Sequence, residues 1–326
     1  MKKSILTLLT LFLSFFSEAQ STQWVNEHQY PNCIQIQNDS VRVVLDPNVG
    51  GRVLVYEKNG KNVLWVNEKM DGMLWDDSLS KFEVSAGRFD IGPEKTTPKR
   101  NQLFKGKWTA EIVDQSTAKL TSIVDPLLEV QLVRVFKLSP NSSQLSCTQT
   151  IINKSAKAKS LAHWGRTFVK GGGICYVPLN PYSRLPKGYA LYNKNPRNSI
   201  DINPAEEENI VAFDSLLVIK GKPSRPKFVM DSDKGWIAYS SKNDLLFLKT
   251  FEISTDKVYG DVIGNSISVW YYENEKCELE PIGPLELIGP NQEVSYTENW
   301  YLFDYPFKSE NASAPNEVLN KISPLL

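Results

Sequence analysis

From residue 34 onward, apolar and polar side chains alternate with a period of two in short runs rich in β-branched and aromatic residues. The runs cover residues 34–36, 41–45, 52–56, 63–66, 108–113, 119–123, 129–138 and 144–152, then 216–219, 236–239, 245–251, 266–272, 277–280 and 294–302. Turn-forming clusters separate them: Asp46-Pro47-Asn48, Asn59-Gly60, Ser139-Pro140-Asn141, Asp233-Lys234-Gly235 and Ser241-Lys242-Asn243. Such punctuation of alternating runs predicts strands joined by tight turns. Helical periodicity is confined to residues 204–211, opened by a proline and three glutamates, and a tail segment at 316–322. Residues 178–204, rich in Pro, Asn and Tyr, form the longest predicted loop, and loops of that length usually serve function or move. No repeat or linker divides this texture. The pattern therefore predicts an all-β chain, with residues 20–326 forming one domain of two large stacked antiparallel sheets.

The first residues read differently. Lys2 and Lys3 precede an apolar run over residues 5–16, and Ser17-Glu18-Ala19 offers small residues at the cleavage positions. This predicts a signal peptide over residues 1–19, cut near Ala19, and a mature chain in the periplasm or outside the cell. The run is too short for a membrane anchor, and no cysteine follows it to carry a lipid.

The full chain has 37 Lys and Arg against 37 Asp and Glu, without basic runs, which argues against nucleic acid or an anionic membrane as partner. A neutral partner fits better. Cys33, Cys147, Cys175 and Cys277 lie far apart, a spacing compatible with one or two long-range disulfides or with buried thiols, but not with a metal pair. Two histidines leave no His-rich metal cluster to propose, and no cofactor motif occurs.

The chemistry-bearing residues gather late. Glu278 and Glu280 stand two apart on a short strand, so alternation points both to one face, where they meet either solvent or a polar cleft. Like charges this close raise one another's pKa, a route to a base near neutrality, and a lysine such as Lys249 is an alternative partner for them. A glycosidase-type acid/base pair is a poorer reading, because both groups would lie on one side of a substrate. In Leu161-Ala162-His163-Trp164-Gly165-Arg166-Thr167, a regular strand puts His163, Gly165 and Thr167 on one face and Trp164 and Arg166 on the other. A glycine beside His163 leaves room for a ligand, although a histidine bonded to backbone or solvent is the plainer reading. Arg52 follows Gly50-Gly51 and opens a strand, while Arg88, Asp90 and Glu94 form a candidate charged rim.

Four segments in order resemble the galactose mutarotase-like (aldose 1-epimerase) superfamily, in particular its poorly characterised secreted bacterial branch. They are Val41 to Arg52 with its Gly-Gly-Arg close, Ser85 to Glu94 ending in Pro-Glu, Ile152 to Trp164, and the Glu278-Leu-Glu280-Pro281 close. The resemblance implies a β-supersandwich with a sugar cleft on the concave face of one sheet, no cofactor, and a carbohydrate as partner. It further implies an acid/base interconversion of sugar anomers, in which a glutamate takes the anomeric hydroxyl proton and a histidine protonates the ring oxygen. By position, His163, ten residues beyond Asn153, is similar to the acid and Glu280 to the base, with Glu278 as its same-face alternative. Arg52, Arg88 and Glu94 join Glu278 as expected sugar-binding residues. No histidine occurs between His28 and His163, so the family's first active-site histidine has no counterpart. Two functions follow as expectations: a mutarotase-like isomerase, or a carbohydrate-binding or accessory protein of glycan utilisation without catalysis.

Overall fold

The computed structural model describes residues 20–79, 81–192, 199–261, 263–272, 274–308 and 315–326; the predicted signal peptide lies outside these. Two antiparallel sheets face each other. The larger runs, neighbour by neighbour, through Ser21–Glu27, Tyr30–Gln37, Arg42–Asp46, Arg52–Lys58, Gly87–Gly92, Lys159–Lys170, Lys276–Pro281, Ile267–Tyr272, Lys227–Met230, Ala190–Tyr192 and Ile200–Asp201. The smaller runs through Ile210–Phe213, Leu216–Ile219, Ile174–Pro178, Trp236–Ser241, Leu245–Phe251, Glu293–Asp304, Leu145–Asn153, Val130–Leu138, Thr117–Thr121 and Thr109–Ile112. Strands distant in sequence are neighbours in both sheets.

Alternation builds the interior. On Leu145–Asn153 every second residue from Leu145 is buried, and on Val130–Leu138 every second residue from Val130. Trp300 is the centre of the packed layer: it stacks on Phe89 of the larger sheet at 5.6 Å and 14°, and meets Phe247 edge-on at 5.4 Å. A second cluster lies on the outer face of the smaller sheet, where Val318 and Ile322 of the helix Pro315–Ile322 cover Tyr176, Val218, Trp236 and Leu248. The predicted tail helix is thus present, beginning one residue earlier at its proline.

The predicted helix at 204–211 is not formed. Residues 204–207 carry no regular structure, and Ile210–Phe213 pairs instead as an edge strand with Leu216–Ile219. Three adjacent glutamates in about two turns of chain offer too little apolar surface to hold a helix against that ladder. All four cysteines are free and buried, so of the two readings of their spacing the structure takes that of small hydrophobes.

The interior also holds charge. Lys249 and Glu298, both fully buried, pair at 2.8 Å, and Trp300 donates its indole N–H to Glu298 at 2.9 Å. Lys249 therefore serves Glu298 rather than the Glu278–Glu280 pair. Burial opposes ionisation of Glu298, but Lys249 and His163 outweigh it and hold its carboxyl below the usual range. Removing one member of such a pair strands the other. Lys249→Met is expected to destabilise the fold by about 3–5 kcal/mol in urea unfolding, and adding Glu298→Gln to recover part of that loss. Equal stability of wild type and Lys249→Met would show that the pair contributes nothing.

Candidate functional site on the outer face of the larger sheet

Register across three strands decides which side chains meet. Lys159–Lys170 pairs with Gly87–Gly92 through Trp164 opposite Asp90 and Arg166 opposite Arg88, and with Lys276–Pro281 through Phe168 opposite Glu278. Ile267–Tyr272 then sets Ser268 against Glu280 and Trp270 against Glu278, and Lys227 lies opposite Trp270 one strand further on. Paired residues share a face. Arg88, Asp90, Trp164, Arg166, Glu278, Glu280, Trp270 and Lys227 consequently project from the side turned away from the sandwich interior.

This group is a charge lattice. Glu278 pairs with Arg88 and with Arg166 at 3.1 Å, while Arg166 also reaches Asp90 at 3.4 Å and lies 3.9 Å from Glu280. Arg100 grips Asp90 through two bonds, at 2.5 and 2.7 Å. Burial works against ionisation of Glu278, yet Arg88 and then Arg166 outweigh it and hold its carboxyl below the usual range. Glu280 fares differently. Burial and the neighbouring Glu278 charge push its pKa up to about 7 against the opposing pull of Lys227 and Arg166. Both Glu280 oxygens are buried without a hydrogen-bond donor among the described residues, and the buried Trp164 indole N–H and Tyr192 hydroxyl likewise have no hydrogen-bond partner there. Unpartnered buried polar atoms of this kind call for an explanation.

Lys227 stands over this group. Its ammonium lies 5.1, 5.2 and 5.7 Å from the ring centres of Tyr192, Trp270 and Trp164, and 3.5 Å from Glu94. Burial alone would lower its pKa, but Glu280, Glu94 and Glu278 raise it, so the side chain is cationic. The face thus combines a carboxyl near neutrality, which when protonated can bond only its neighbour Glu278 among the described residues, with cations and aromatic walls. That set can transfer a proton to or from a bound hydroxyl and hold a polar ring.

Of the predicted site residues, Glu278, Glu280, Arg88 and Glu94 come together here. Two do not. Arg52 is buried in a pair with Asp46 at 3.0 Å, bonded to Ser85 at 3.3 Å and lying 5.1 Å from the Tyr30 ring centre. It follows the turn at Gly50 and Gly51, whose φ values of +62° and +58° suit glycine and whose carbonyls accept from Arg134.

His163 projects into the sandwich, opposite in sense to Trp164 and Arg166, as the alternation within its own strand predicts. The imidazole meets Glu298 at 2.7 Å and Gln149 at 3.1 Å and stacks on Tyr296 at 4.9 Å. The expected acid/base pair of His163 and Glu280 across one cleft is therefore corrected: the two occupy opposite faces of the sheet. The space beside Gly165 is likewise taken from within, since a Cβ there would lie 2.1 Å from Glu298 Oε1. Arg166, Trp164, Lys227 and Trp270 were not singled out as site residues. Arg166 and Trp164 carried one usable signal, their position on the strand face opposite His163.

No family model matches the sequence, and no curated protein matches it. Solved structures do match. A galactose mutarotase-like protein from Lactobacillus casei superposes with a TM-score of 0.55 at 12% identity, over 83% of this chain and 100% of that one. A galactose mutarotase related enzyme from Lactobacillus acidophilus gives 0.56 at 10% identity, over 83% and 97%. A TPR-domain containing protein from Parabacteroides distasonis gives 0.57 at 14% identity over 85% of this chain, which spans about half (48%) of that protein. The fold is that of galactose mutarotase-like proteins, an all-β sandwich of two large antiparallel sheets.

The raised proton affinity of Glu280 has a signed consequence. Its folded-state pKa lies above the ordinary glutamate value, so between about pH 4.5 and 7 the folded chain binds this proton more tightly than the unfolded chain. The group's contribution is greatest at the acid end and is lost as pH rises through 7. Replacing Glu280 by Gln should flatten the stability profile in that window relative to wild type, as read by urea unfolding at several pH values. Parallel profiles would show that Glu280 titrates as an ordinary carboxylate.

Proposed function

We propose that this chain is a secreted protein that binds a carbohydrate on the outer face of its larger sheet and interconverts the anomers of the bound sugar, with Glu280 as the proton-accepting base. The observation that carries the reading is Glu280 itself: a buried carboxyl with no donor on either oxygen, raised toward neutrality, among aromatic walls on a galactose mutarotase-like fold. A sugar hydroxyl supplies the missing donor. Trp164 and Trp270 offer faces to the sugar ring, and the ring takes the place between them that the Lys227 ammonium now fills. Displaced from there, Lys227 gives a proton to the ring oxygen as the C1–O5 bond breaks and Glu280 takes the anomeric hydroxyl proton, so that the open-chain aldehyde forms with both protons accounted for. Reclosure after rotation runs the two transfers in reverse. Glu278, kept ionised by Arg88 and Arg166, sustains the high proton affinity that a base working near neutral pH requires.

A second reading is binding without catalysis, as in an accessory protein of glycan utilisation. It is favoured by the inward position of His163, which leaves no imidazole in contact with Glu280 among the described residues. Polarimetry of freshly dissolved α-glucose and α-galactose separates the two. Wild type is expected to exceed the spontaneous rate, Glu280→Gln to lose about 100-fold or more of that catalysis, and His163→Gln to keep it while losing stability. Wild type matching the spontaneous rate would reject the isomerase and leave the binding reading, which a sugar-induced rise in melting temperature would then support.

A further inference from the structure

The construction around Lys227 occurs a second time on the same face. Lys276 precedes Glu278 and Glu280 on one strand at the same two-residue spacing, and its ammonium lies 4.0, 4.9 and 5.2 Å from the ring centres of Trp65, Phe168 and Tyr272. Here too a more exposed glutamate, Glu83, pairs with the lysine. Trp65 reaches this face because Leu64 bridges to Val169, which sets Trp65 beside Phe168 at 5.6 Å and edge-on. The two aromatic groups are joined. Trp270 of the first stacks on Tyr272 of the second at 4.9 Å and 16°, and both rings are half-buried. Beyond Trp65 the surface opens into a cleft of about 720 Å³, whose walls include His28, Asn67, Lys170 and Asn274.

We propose that Trp65, Tyr272 and Lys276 form a second sugar subsite, so that the ligand is a neutral oligosaccharide running from Glu280 across Trp270 and Tyr272 into the Trp65 cleft. The inference rests on the carbohydrate reading of the Glu280 site and extends it from one ring to several. Length supports it: from Glu280 to Lys276 the strand advances about 13 Å, more than one sugar ring occupies. Charge selects for neutrality. Each lysine is already neutralised by its own glutamate, Lys227 by Glu94 and Lys276 by Glu83, so neither awaits an anionic group on the ligand. Half-buried aromatic faces bordered by amide, imidazole and ammonium donors suit the alternating apolar and hydroxylated surfaces of a glycan.

The test is calorimetric titration of the mature chain with glucose and galactose and with neutral trisaccharides built from each, alongside uronate-containing trisaccharides. At least one neutral trisaccharide is expected to bind about tenfold or more tightly than its monosaccharide, and Trp65→Ala to remove that gain while leaving monosaccharide affinity within about twofold. Asn274→Arg, an exposed change that fills the cleft without touching the packed rings, should act the same way; retained monosaccharide binding reports that either variant is folded. Equal affinity for mono- and trisaccharides, or a trisaccharide affinity insensitive to both variants, would overturn the second subsite and leave the Glu280 site standing. Preference for the uronate series would overturn neutrality. No binding of any sugar would overturn this inference together with the reading it rests on.

Discussion

One strand, Lys159–Lys170, separates two buried charge systems, and its strict alternation keeps them apart. His163 joins Glu298 and Gln149 between the sheets, while Arg166, three residues on, joins Glu278 and Asp90 outside. Ions taken out of water must be paired, and neither system could borrow a partner from the other through the backbone of a central strand. The inner system is complete, with Glu298 satisfied by His163, Lys249 and Trp300. In the outer one Arg88 and Arg166 both reach Oε1 of Glu278 and leave its Oε2 and both Glu280 oxygens without a donor among the described residues. A slip of one residue in the register of this strand would turn Arg166 into the core and His163 out of it, leaving at least two carboxylates stranded.

That pairing explains why two glutamates on one short strand differ in chemistry. Glu278 and Glu280 are equally buried and share a face, yet both guanidinium contacts within 3.5 Å go to Glu278. Glu280 receives the pull of Lys227 and the distant side of Arg166, at 3.9 Å, and these are outweighed by burial and the repulsion of its now firmly ionised neighbour. Asymmetry in two arginines thus divides the pair into a fixed anion and a proton acceptor. No difference between the glutamates themselves is needed.

The sequence told much about what each strand looks like and little about which strands meet. Alternation marked the buried rows of residues 129–138 and 144–152, the face shared by Glu278 and Glu280, and the opposed faces of His163 and Trp164, because a period of two is a local property of the chain. The Gly-rich segment from Ser85 to Glu94 and the His163 strand both carry the family resemblance, but their pairing joins residues seventy or more positions apart. Nothing local encodes that. Lys227 illustrates the same gap: four strand residues with no unusual spacing became the cover of the site because Ile267–Tyr272 lies between them and Glu280. The short helix predicted at 204–211 failed for the opposite reason, since a local propensity was outvoted by a strand partner five residues further on.

Gly165 shows how a correct local reading can attach to the wrong cause. A glycine on the face of a histidine does mark a close approach, but what approaches is Glu298 of the opposing sheet, 2.1 Å from where a Cβ would stand. The missing side chain lets the carboxylate lie against the backbone and accept from His163 on one oxygen while the other takes Lys249 and Trp300. Those bonds tie the middle of the larger sheet to the smaller one directly beneath Arg166 and Trp164. The inner network therefore has a consequence for the outer face, because it fixes the backbone from which Arg166 and Trp164 project toward Glu278 and Glu280. His163 belongs to that inner network and makes none of the outer contacts.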